Sequence, residues 1–181
     1  MRLVSRCFWL LLLPLLAACA PKFDWREVRP PDAGFAIALP GRPQVETRAL
    51  DFDGSKVSMT MASAGVGPTL FAAGAAQLPA AALAPERLEA TVGWFSDALL
   101  RNLGATDSRS QPAPALRGAQ TRAAVAVTAA GRPGKDGRAA QLAARFYVVD
   151  DRLYQVVALG AEGEIPPQAL ETFFDSFRLV R

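Results

Sequence analysis

The chain has 181 residues, 51% hydrophobic and 20% charged, which is enough for one well-buried core and short for two. Its 20 basic and 17 acidic residues give a formal net charge of +3, and Arg2 and Arg6 fall in a segment read below as removed, leaving 18 against 17. So balanced a charge excludes nucleic-acid binding by electrostatics.

The first segment has the order of a secretory signal. Arg2 and Arg6 make a positive start, Phe8 to Leu16 make a short apolar run interrupted by Pro14, and Ala17 and Ala18 are small. The run is too short to span a bilayer, which takes ~20 residues for ~30 Å of hydrocarbon. It ends in Leu16-Ala17-Ala18-Cys19, which resembles the bacterial lipoprotein box. In that family the cysteine thiol takes a diacylglyceryl group, the peptide is cut just before the cysteine, and the new amino group is acylated. The resemblance implies cleavage between Ala18 and Cys19, residues 1–18 as signal peptide, and a covalent lipid on Cys19 with no other cofactor. The other reading is a plain signal peptide, cut near Ala18 or Ala20, with Cys19 incidental.

Each buried methylene contributes ~0.8 kcal/mol, so two or three acyl chains hold a protein on a membrane essentially permanently. Cys7 would leave with the peptide and Cys19 would be blocked as a thioether, so no disulfide is expected despite an oxidising compartment. The resemblance implies a bacterial cell-envelope location. Ala20 after the cysteine, in place of aspartate, points by analogy with enteric sorting to the outer membrane with the domain in the periplasm. Residues 19–24 are then a tether of at most ~17 Å, and residues 25–181 form one domain close to the bilayer. Phe23 and Trp25 either touch the interface or cover an edge of the core.

Trp25 opens a strand-like "WREV", and "GFAIALPG" places Phe35, Ile37 and Leu39 on one face of a second strand. "VETRALDFDGSKVSMTM" reads as a hairpin turning at Asp53-Gly54, with Asp51 facing Lys56 and Leu50 facing Val57. After a "GVGP" turn a further strand runs from about Thr69 to Gln77. Pro85 opens a helix with Leu88, Val92, Phe95, Leu99 and Leu103 on one stripe. Glu86 and Glu89 suit its positive end, Arg101 its last turn, and Gly104 its C-terminal cap. Trp94 is expected against the sheet.

A polar loop is expected around Gln111 to Pro114, followed by strands over Ala119 to Ala129 and Arg138 to Val149. Asp150-Asp151 then turns the chain into "RLYQVVALG". Leu142, Ala144, Phe146 and Val148 alternate with Ala143, Arg145, Tyr147 and Val149, so this strand is apolar on both faces and expected to be central. Pro167 starts a last helix with Leu170, Phe173, Phe174 and Phe177 on its apolar side.

The succession "W…GFAIALPGRP", the hairpin, "LFAAGAAQLP", the long helix, "GRPGKDGR…ARFYVVDDRLYQVVALG" and "FFDSFRLV" resembles a bacterial domain of the Mog1/PsbP-like group. The resemblance implies an α+β fold, an antiparallel β-sheet flanked by helices in an α/β/α sandwich. Its marks are turn glycines, prolines and core apolars, and no binding motif transfers residue by residue.

The chain contains no histidine, which excludes Ser-His-Asp and Cys-His mechanisms and histidine-containing zinc sites. Gly131-Arg132-Pro133-Gly134-Lys135-Asp136-Gly137 lacks the spacing and the following Ser/Thr of a phosphate-binding loop and reads as a hairpin connection. Asp150 and Asp151 in one turn, and Glu162 and Glu164 after the last long strand, could hold a hard cation if those ends meet; otherwise they are solvated turns. No catalytic or metal-ligating residue is assigned. The expected function is a non-catalytic binding or interaction module of the envelope, held by its lipid near a protein or envelope-component partner. A carboxylate- or cation-dependent enzyme and a carrier of apolar ligands are the alternatives.

Overall fold

The computed structural model describes residues 23–134 and 137–180. Ala18 and Cys19, with the expected signal peptide and most of the tether, lie outside these residues. In chain order the strands are β1 (Trp25–Val28), β2 (Phe35–Pro40), β3 (Gln44–Phe52), β4 (Ser55–Val66) and β5 (Thr69–Gln77). Helix α1 (Leu88–Leu103) precedes β6 (Ala105–Pro112), β7 (Thr121–Gly131), β8 (Ala140–Val149) and β9 (Arg152–Ala161). Helix α2 (Pro167–Ser176) and the short β10 (Arg178–Leu179) close the chain.

Seven strands form one antiparallel sheet in the order β3-β4-β5-β9-β8-β7-β6. A small sheet, β1-β2-β10, lies across one face together with α2, and α1 covers the other. The fold is therefore α+β and mainly antiparallel, with two long helices among the described residues. The expected sandwich differs on one side, where β1, β2 and β10 share the layer with α2.

The period of two along β8 explains why both layers hold. Leu142, Ala144, Phe146 and Val148 enter the core under α1, and Tyr147 and Val149 enter the core under α2 and β2. β8 is interior as expected, and β9 beside it holds the middle place. Phe35, Phe71 and Phe173 are fully buried in one core, and Phe146, Leu103 and Leu153 are nearly or fully so in the other.

The hairpin register is the expected one, with Asp51 opposite Lys56 and Leu50 opposite Val57. Asp53 and Gly54 both adopt positive φ, 50° and 76°, the signature of a tight I′ turn. Pro85 starts a single 3-10 turn that runs into α1 at Leu88. Val92, Phe95 and Leu103 are buried, Trp94 meets Phe52 of β3 edge to face at 5.1 Å, and Gly104 caps the helix at φ 60°. In α2 the helix ends at Ser176, so Phe177 packs from extended backbone.

The expected loop at Gln111 to Pro114 is a correction. Gln111 and Pro112 are the last residues of β6, which pairs with β7. All but the first of its eight residues are exposed, so as an edge strand it has no buried face to write into its sequence.

Candidate functional site

On the α2 side of the sheet, register brings together side chains from three strands. β8 contributes Gln141, Ala143 and Arg145, β7 contributes Ala130, Thr128 and Ala126 opposite them, and β6 adds Asp107 and Arg109. Helix α2 packs on β2 and leaves this strip open. The result is a trough of about 350 Å³ with a floor of small side chains, walled by Ile165 and Leu170 and rimmed by Asp107, Arg109 and Glu162. One pleat along β8, the Arg145 guanidinium carbon sits 4.3 Å from the ring centre of Phe174 on α2. Burial pushes the neighbouring Tyr147 phenol above its usual range, and Arg145 pulls the other way.

A second hollow, about 480 Å³, opens where β8 turns into β9. Arg152 reaches across it and donates from Nη1 to the Asp32 carbonyl oxygen at 2.6 Å. A Cβ on Gly34 would lie 3.1 Å from both that nitrogen and the Tyr154 hydroxyl, so glycine is what lets the chain pass so close. Asp32 and Asp150, both at this hollow, take positive φ of 57° and 52°, a conformation aspartate tolerates in turns. Tyr154 is raised by burial as well, with Arg152 opposing.

Chemically both hollows set an arginine among carboxylates, Arg109 with Asp107 and Glu162 in the trough, and Arg152 with Asp32, Asp150 and Asp151 in the second. The guanidinium groups and, in the second hollow, the Tyr154 hydroxyl can donate to and orient an acceptor. Glu27 is held below its usual range by hydrogen bonds from Arg178 and Arg29, and it braces β1 against β10 at the surface.

The four carboxylates singled out from the sequence are not brought together. Asp150 and Asp151 line the second hollow, Glu162 borders the trough, and Glu164 lies with Arg138 in a third hollow. Between the two pairs runs the whole of β9, about 30 Å at the rise of a strand. Gln77 donates to Asp151 at 3.1 Å. Among the described residues no group of three or more His, Cys, Asp or Glu is placed to hold a metal ion. Arg132 and Gly134 of the glycine-rich segment join β7 to β8 as a connection between neighbouring strands.

Trp25 is half-buried, stacked with Phe23 at 5.7 Å and edge-on to Phe71 at 5.9 Å, so it covers the margin of a core. Sequence reasoning did not single out Arg145, Arg109 or Gln141. Arg145 left a signal, a lone charge inside a strand apolar on both faces. The other two left none, because only strand register unites them.

No family model matches the chain, and no curated protein matches it. Among solved structures it is similar to the solution structure of cyanobacterial PsbP (CyanoP) from Synechocystis sp. PCC 6803. That likeness has 14% identity and a TM-score of 0.42, covering 93% of this chain and 99% of that one. It is also similar to a protein of unknown function from Pseudomonas aeruginosa, PA94, at 13% identity and a TM-score of 0.37, covering 81% of this chain and 86% of that one.

Proposed function

We propose that this chain is a lipoprotein of the bacterial cell envelope, cut between Ala18 and Cys19 and anchored through lipid on Cys19. Its domain acts in the periplasm as a non-catalytic binding module, on the outer membrane by the residue that follows the cysteine. The observation that carries the reading is Leu16-Ala17-Ala18-Cys19 at the end of a basic, then apolar, segment. The Mog1/PsbP-like assignment rests on the turn glycines, prolines and core apolars quoted above.

Three residues, Ala20 to Lys22, separate Cys19 from Phe23, a span of at most ~14 Å. Phe23 itself contacts Phe71 near the start of β5. Such a tether keeps the β4–β5 end of the domain beside the bilayer. The binding role is supported by the absence of histidine from the chain and by hollows that present arginine donors to a bound group.

Fractionation of cells expressing wild-type and Cys19→Ala chains tests the anchor. Wild type is expected in the membrane fraction with incorporated radiolabelled fatty acid, and the variant is expected to lose the label and the tight, salt-resistant membrane association. Equal labelling and retention of both would overturn the reading.

A further inference from the structure

The large sheet has two edges, and they are not equally guarded. β6 carries a register shift between Ala105 and Asp107 and ends in Pro112, and bulges and prolines are devices that stop an edge from pairing. β3 has neither. Its nine residues pair with β4 without interruption, and every side chain from Gln44 to Ala49 is exposed. Val45 is 45% exposed, one of two large hydrophobics standing out from the described surface.

Hairpin geometry tells which backbone groups of β3 face outward. The residues flanking a two-residue turn, Phe52 and Ser55, form a hydrogen-bonded pair. Counting back in twos, Leu50, Arg48 and Glu46 turn their N–H and C=O groups to β4. Asp51, Ala49, Thr47 and Val45 therefore turn theirs away from the sheet.

We propose that this edge docks a second copy of the chain, β3 pairing antiparallel with its counterpart about a two-fold axis at Thr47. In that register Glu46 stands opposite the partner's Arg48 on one face, and Val45 stands opposite the partner's Ala49 on the other. Each opposite-charge pair then occurs twice. Centring the axis on Glu46 or Arg48 instead sets like charges face to face. Centring it on Val45 sets Thr47 opposite the partner's Pro43, which has no N–H to give. The strand is self-complementary about Thr47 and penalised about Val45, Glu46 and Arg48. In the single chain Glu46 and Arg48 already pair at 2.8 Å on one face of β3, both more than half exposed, so docking adds a cross-strand partner to each. The inference stands apart from the lipid anchor and does not depend on it.

Sedimentation equilibrium of the purified protein in density-matched detergent reads the association directly. Wild type is expected to be dimeric. Thr47→Pro, Glu46→Arg and Arg48→Glu are each expected to raise the dissociation constant by about tenfold or more, because one substitution alters both symmetry-related pairs. The doubly reversed Glu46→Arg/Arg48→Glu chain is expected to regain wild-type association, which also controls for folding. A wild type that stays monomeric, single variants that dimerise unchanged, or a double variant no better than its singles would each overturn the proposal. So would pairing of this edge with an unrelated protein while the chain itself stays monomeric.

Discussion

Arg145 in the middle of β8 lies over the ring of Phe174 on α2, guanidinium carbon to ring centre 4.3 Å. Arg145 takes part in none of the salt bridges among the described residues, so the ring face is its close electrostatic partner beside Tyr147. A half-buried cation over an aromatic contributes about 1 kcal/mol. In urea denaturation, Arg145→Ala and Phe174→Leu should therefore couple by about that amount in a double-mutant cycle. Additivity to within about 0.3 kcal/mol would show that the contact stabilises nothing.

That pair also marks the border of what the sequence displayed. The features written locally were legible: the Asp53-Gly54 turn, the α1 stripe with Gly104 after it, and the two-faced apolar pattern of β8. β6 was hidden because "ATDSRSQP" has no buried face, and its place is set by hydrogen bonding to β7. The trough was hidden for a different reason. Asp107, Thr128 and Gln141 are far apart in sequence and meet through the registers of three strands. A joint site of Asp150, Asp151, Glu162 and Glu164 was conceivable from spacing, but β9 pairs with β8 without a register shift and holds the two pairs at its opposite ends.

Two glycines with the same backbone demand separate strain from crowding. Gly104 and Gly118 take φ of 60° and 72°, yet a Cβ on Gly104 would lie 2.7 Å from the Arg132 carbonyl oxygen while one on Gly118 meets nothing within 4 Å. Gly118→Ala should cost about 1 to 2 kcal/mol, the ordinary penalty of the left-handed conformation. Gly104→Ala should cost more, since the α1 cap must also move away from the β7–β8 connection. Thermal or urea unfolding of the two variants ranks them, and equal losses would refute the crowding.

The whole chain has two tyrosines, Tyr147 and Tyr154, so its phenolate absorbance reads both groups and nothing else of that kind. Burial raises both. An unfolded tyrosine ionises near pH 10, so the folded state binds more protons just above that pH and stability is lost as pH rises. Spectrophotometric titration should give midpoints above 10 for the folded protein, with unfolding free energy declining from about pH 10 upward. Tyr147→Phe should flatten that decline. A folded-state midpoint at the free phenol value would contradict the burial of both rings.

The proposed anchor is the claim on which location and role both turn, and mass spectrometry of the N-terminal peptide from membrane-extracted protein tests it most directly. The expected peptide begins at Cys19 and carries a diacylglyceryl thioether and an acylated amino group. A peptide that begins elsewhere, or at an unmodified Cys19, would contradict it.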